Sequence, residues 1–161
     1  MHKESSGFTL VELITVIVLV AILSVYAVAR QPSSGAVNLL AQADLFTAHM
    51  QHIQALAMDW SQPLRLAITS GGYSVSCATV SATPPCDVSP VLDPTTNSPF
   101  IISLESGISL SGKAITDFDT LGRPVAGGSI ITSSPARTFT LSIASIKQVV
   151  TLSPLTGFAA Q

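Results

Sequence analysis

The chain has 161 residues, 47% of them apolar and only 10% charged, with a formal net charge of −2. Residues 31–161 carry seven acids (Asp44, Asp59, Asp87, Asp93, Glu105, Asp117, Asp119) against five bases (Arg65, Lys113, Arg123, Arg137, Lys147). No basic field for nucleic acid is present, so no nucleic-acid partner is expected. Setting the apolar N-terminal stretch apart leaves about 130 residues, enough for one modest head domain, and the Ser- and Thr-rich remainder suits an exported β-rich head.

From Phe8 to Ala29 there are 22 residues, 18 of them apolar, and Glu12 is the single side chain among them charged at neutral pH. As a helix this run is about 33 Å long, the thickness of a bilayer core, and no ordinary strand is that long. A membrane helix is expected. Secretory signals place a small-residue cleavage site after the apolar stretch, whereas Ala29 is followed by Arg30, Gln31 and Pro32. The polar stretch Met1 to Gly7 instead ends in glycine directly before the apolar run, so cleavage there leaves the helix on the mature chain. Lys3 and the initiator amine lie on one side of the helix and Arg30 on the other, with Glu4 offsetting Lys3, so charge alone does not set the orientation.

The segment Gly7-Phe8-Thr9-Leu10-Val11-Glu12-Leu13-Ile14 resembles the class III signal of type IV pilins and type II secretion pseudopilins. The resemblance implies that a prepilin peptidase cuts after Gly7 and that Phe8 becomes the N-methylated terminus. It also implies a role for Glu12 in assembly, an inner-membrane assembly platform and other pilin or pseudopilin subunits as partners, and a single-pass inner-membrane protein with a periplasmic head that enters a filament. Physics supports the same role for Glu12. A carboxylate inside a membrane segment costs about 2.5 to 3.5 kcal/mol and needs a partner. The new amine at Phe8 of a neighbouring subunit could supply it, fixing register more than adding stability.

Arg30 to Gly35 interrupts the helical pattern, through the missing amide of Pro32 and the flexibility of Gly35. Many pilins carry a proline where this chain has Ala29, and Pro32 is the candidate to take its place. From Ala36 to Trp60, residues Leu39, Ala43, Phe46, Met50, Ile53, Ala57 and Trp60 recur at spacings of four and three. They predict an amphipathic helix whose stripe packs on the head.

Beyond Trp60 the period becomes two. Leu64, Leu66 and Ile68, then Tyr73, Val75 and Cys77, predict two strands joined across Ser70-Gly71-Gly72. Residues 78–99 contain five prolines and read as loop. In an oxidising compartment, Cys77 and Cys86 form a local disulfide at its start, worth about 2 to 3 kcal/mol, and two reduced thiols are the alternative. Further strands are expected over Phe100–Leu104, Ile108–Leu110, Ala114–Phe118, Gly128–Thr132, Thr138–Ile143 and Gln148–Leu152. In the turn Phe118-Asp119-Thr120-Leu121-Gly122-Arg123-Pro124, Asp119 caps its own turn, Gly122 takes a positive φ and Pro124 interrupts the ladder.

That F-D-x-x-G-R-P turn, with Thr156-Gly157-Phe158 near the end, is similar to the head of minor pseudopilins and minor pilins of the H type, which implies a minor subunit. Gln54-Ala55-Leu56-Ala57-Met58 resembles minor pilins of mannose-sensitive haemagglutinin (MSHA) type adhesive pili. The whole is expected to be α+β. A long N-terminal helix, one half membrane and one half amphipathic, packs on an antiparallel β-sheet head, in four parts: leader 1–7, assembly helix 8–29, amphipathic helix 36–60 and head 61–161.

His49 and His52, one turn apart and on the face that carries Asp59, read as a solvated face rather than a metal site. Asp117 and Asp119 read as turn and surface residues rather than calcium ligands. No nucleophile elbow, metalloprotease helix or phosphate loop is present. The chain is therefore expected to be no enzyme and to take no cofactor and no metal. The competing functions are a pseudopilin of a type II secretion system and an anchored ligand-binding module whose contact surface is the loop from Cys77 to Pro99.

Overall fold

The structure, a computed structural model, describes residues 9–28 and 34–161, with side chains in the first helix to Ser24. It comprises two compact units, divided after Ser33.

The first unit is helix α1 (Leu10–Val28). Its start has a local cause in the pattern Thr-x-x-Glu: the Glu12 amide donates to Thr9 Oγ1 at 3.3 Å, the N-terminal half of a capping box, and Glu12 lies in the first turn, where the helix dipole favours an acid. Thr15 and Ser24 turn their hydroxyls back to the carbonyls of Glu12 and Val20, at 2.8 and 2.7 Å. The β-branched residues that dominate the helix are weak helix formers in water. An apolar environment removes the competition from water for the backbone.

The second unit opens with α2 (Ser34–Asp59), two residues earlier than the periodicity predicts and ending one residue sooner. Its predicted stripe is its buried face: Leu39, Ala43, Phe46, Met50, Ile53 and Ala57 are fully buried, Leu56 nearly so, and Trp60 is partly buried against them. The helix stops in a Schellman motif. Ser61 takes φ +51°, its amide donates to the Met58 carbonyl and that of Gln62 to Ala57, and Pro63 bars continuation.

Ten strands follow: β1 (Leu64–Thr69), β2 (Gly72–Cys77), β3 (Ile101–Ser103), β4 (Ser109–Gly112), β5 (Ile115–Phe118), β6 (Pro124–Ala126), β7 (Ser129–Ile130), β8 (Arg137–Ile143), β9 (Ile146–Leu152) and β10 (Ala159–Ala160). They form two antiparallel sheets, in the orders β3-β2-β1-β5-β6-β7 and β10-β9-β8-β4. The β1–β2 hairpin pairs Leu64 with Cys77 and Thr69 with Gly72, as its alternation predicts. Alternation also sets the buried faces, with Leu64, Leu66, Tyr73, Val75 and Phe118 from the first sheet and Leu110, Phe139, Leu141, Val150 and Leu152 from the second.

Both faces meet α2. The Phe46 ring lies edge-on to Tyr73 of β2, centroids 5.0 Å apart, and to Phe139 of β8, at 5.3 Å. One expectation is corrected. Pro124 does not interrupt the ladder but opens β6, opposite Phe118, with its carbonyl accepting from the Ile131 amide. A proline at the first position of a strand forfeits only the donor it lacks.

Candidate functional site

Three sets of side chains bear on function. On α1, all eleven large apolar residues from Leu10 to Leu23 are exposed, by 47 to 73%. With Thr9, Thr15 and Ser24 occupied by their own backbone, Glu12 is the one charged group among the described side chains of this helix. Its carboxylate thus stands alone on an apolar rod. The cleavage and methylation positions, Gly7 and Phe8, lie outside the described residues, as do Ala29 and Pro32. Among the described residues no helix is long and apolar enough to cross a membrane, so the span expected over Phe8–Ala29, whose two ends fall outside them, is not found there.

The second set is a junction of backbone and one side chain. Gln54 Nε2, on α2, donates to the Thr156 carbonyl. Gly122, at φ +73°, lies so close that a Cβ there would stand 2.7 Å from Gln54 Cγ. Gly157, at φ +71°, has room for no Cβ either, which would overlap the Gly122 carbonyl oxygen and stand 3.0 Å from Gln54 Nε2. The three segments that the sequence marked separately, Gln54–Met58, Phe118–Pro124 and Thr156–Phe158, therefore meet at one place. Asp119 shapes this junction as predicted: its Oδ1 accepts from the amides of Leu121 (3.0 Å) and Arg123 (2.9 Å), and its Oδ2 from Arg123 Nε (2.8 Å). Burial pushes the Asp119 carboxyl up, but the Arg123 and Leu121 donors outweigh it and hold the group below its usual range.

Asp117 is not a bare surface acid. It faces Arg65 across the β1–β5 pairing and accepts a two-pronged bond, 2.7 Å to Nε and 2.9 Å to Nη2. The bond to Asp117 pushes the Arg65 guanidinium up in turn. Both aspartates are thus engaged by arginines.

The third set lies where the loop between β2 and β3 folds over α2. The Cys77–Cys86 disulfide fastens the start of the loop, with Cα atoms 5.5 Å apart, and both residues are buried. His49 and His52 do not form the solvated face expected of them. Both are half-buried, with His49 Nδ1 2.6 Å from Tyr73 Oη and His52 Nε2 3.9 Å from Asp93 Oδ1. No local pattern could reveal Asp93 as a neighbour 41 residues away. Among the described residues no three His, Cys, Asp or Glu side chains are gathered to hold a metal.

Residues 2–28 match the family described as the prokaryotic N-terminal methylation motif. Crystal structures of the type IV minor pilin FimU of Pseudomonas aeruginosa (strain PAO1), in two crystal forms, superpose on the fold with TM-scores of 0.52 each. One is 15% identical over 80% of this chain and 91% of its own, the other 14% identical over 75% and 90%. The chain thus carries the methylation motif at its N-terminus and shares the fold of those structures. The shared fold is an α+β one, a helix on antiparallel sheet. No curated protein matches this chain by sequence.

Proposed function

We propose that this chain is a pilin, a minor subunit of a type IV pilus incorporated through α1. In this reading residues 1–7 are a leader removed after Gly7 by a prepilin peptidase, Phe8 is the N-methylated terminus, and residues 8–29 anchor the chain in the inner membrane with the head, 61–161, on the periplasmic side. Residues 36–60, the α2 stripe, join the head. The observation that carries the reading is α1 itself, a helix with every large apolar side chain exposed from Leu10 to Leu23 and a single carboxylate near its start. Such a surface demands apolar neighbours, first lipid and then the helices of other subunits. Glu12 is then the one group that needs a charged partner, and the α-amine of Phe8 on an adjacent subunit is the cation the cleavage creates. The minor role rests on the likeness to FimU. A place in an MSHA-type adhesive pilus is supported by the Gln54–Met58 segment, and a type II secretion pseudopilus by the shared leader.

The test is mass spectrometry of the purified chain from cells with and without prepilin peptidase, paired with pilus counts. The wild type is expected to lose its first seven residues and gain a methyl group, Gly7→Val to retain the leader, and Glu12→Ala to be processed but not incorporated. A mature wild-type chain that keeps Met1 would leave an anchored module with no filament role.

A further inference from the structure

We propose that His52 and Asp93 form an acid-responsive latch that fastens the loop between β2 and β3 onto α2. The proposal stands apart from filament assembly and rests on the geometry of the third set of side chains.

The loop closes on itself before it reaches the helix. Leu92 and Pro99 form an isolated bridge, Asp93 and Ser98 are joined through their backbones, and the Asp93 carbonyl accepts from Thr96 and Asn97. Asp93 Oδ1 also accepts from the Thr95 amide and hydroxyl, both at 2.8 Å. Residues 92–99 are therefore a tied tip, and Asp93 is the acid it presents to α2. The base of the tip is anchored by Phe100, fully buried, against whose ring both His49 (centroids 5.5 Å, near perpendicular) and His52 (6.1 Å, tilted) rest.

His52 Nε2 is shielded from solvent and has no hydrogen-bond partner, although the Asp93 carboxylate is 3.9 Å away. A shielded ring nitrogen left unbonded costs about 1 to 3 kcal/mol, so the neutral pair is a poor contact. A proton on that ring converts the same geometry into a cation facing a carboxylate, which a small closure turns into a charge-assisted bond. The other titratable groups around it do not compete. Tyr73, on β2 behind His49, is pushed up by burial and stays neutral. His49 is pushed down by burial first and then by His52, against an opposing pull from Asp93, and its Nδ1 lies against the Tyr73 hydroxyl. Asp93 is pushed up by burial, but the Thr95 donors, then His52 and His49, leave it below its usual range and ionised throughout. Asp59, two turns along α2, is exposed.

The experiment is amide hydrogen exchange on the full-length protein in detergent micelles at pH 7.5 and 5.5, corrected for intrinsic rates and read at Asp93, Asn97 and Phe100. These amides are bonded within or at the base of the tip, so their protection reports its opening. For a part-exposed pair the protection is expected to rise about two- to fivefold at the lower pH. The rise should vanish in His52→Gln and in Asp93→Asn and persist in His49→Gln, with the amides of Leu141 and Val150 unchanged as a check on folding. Unchanged or falling protection in the wild type, or a rise that survives His52→Gln, would overturn the latch.

Discussion

The junction at Gln54 makes a sharp prediction about Gly157. Replacing it with alanine forces a left-handed conformation on a residue with a Cβ, at φ +71°, which costs about 1 kcal/mol. The added carbon overlaps the Gly122 carbonyl oxygen, a backbone atom that cannot swing aside as a side chain would. Either the Thr156–Gly157 turn or the Asp119–Arg123 turn must shift, and the Gln54 bond to Thr156 goes with it, at about 1 kcal/mol more. The sum, about 2 to 3 kcal/mol, corresponds to roughly a 10 °C fall in the melting temperature of a head this size. Far-ultraviolet circular dichroism on the purified protein reads it. Gly127→Ala is the matched control, since Gly127 also has a positive φ of 58° but nothing within 4 Å of the added carbon. It should lose only the conformational part. If Gly157→Ala melts within 2 °C of Gly127→Ala, the three segments are not locked together and the junction is a coincidence of neighbouring turns.

Removing the Cys77–Cys86 disulfide, by a double serine substitution, should lower the stability by about 2 to 3 kcal/mol, measured by urea unfolding. Proteolysis should begin between residues 78 and 99 in that variant, since the loop loses its fastening. Asp119 is held below its usual range in the fold, so it contributes stability present above about pH 4 and lost as the pH falls through its folded value. Asp119→Asn should accordingly flatten the acid limb of the melting curve between about pH 4 and pH 2, without changing its shape near neutrality.

The legible and illegible parts of this molecule divide by range. The α2 stripe was readable because seven residues repeat on one face of one helix, and every one of them is buried or partly so. The β1–β2 hairpin was readable for the same reason, with its turn residues in place. Strands β6 and β10 are not legible because three and two residues cannot show a period of two, and Pro124 reads as an interruption although it takes the first position of a strand. Sheet order and the pairing of β4 with β8 are non-local and leave no trace in spacing. The same holds for the candidate sites. Thr9 with Glu12 is a capping pattern visible in four residues, whereas Gln54 meets Thr156 across 102 residues and Arg65 meets Asp117 across 52. The histidines read as a solvated face because the cover over them comes from the far side of a proline-rich loop.

Phe46 touches Tyr73 of one sheet and Phe139 of the other with a single ring. Neither sheet therefore owns a core that it could keep if the other came apart, and the natural unit of unfolding is the head as a whole rather than either half. That arrangement makes partial opening uneconomic: force that peels one sheet must also empty the pocket on which the second depends.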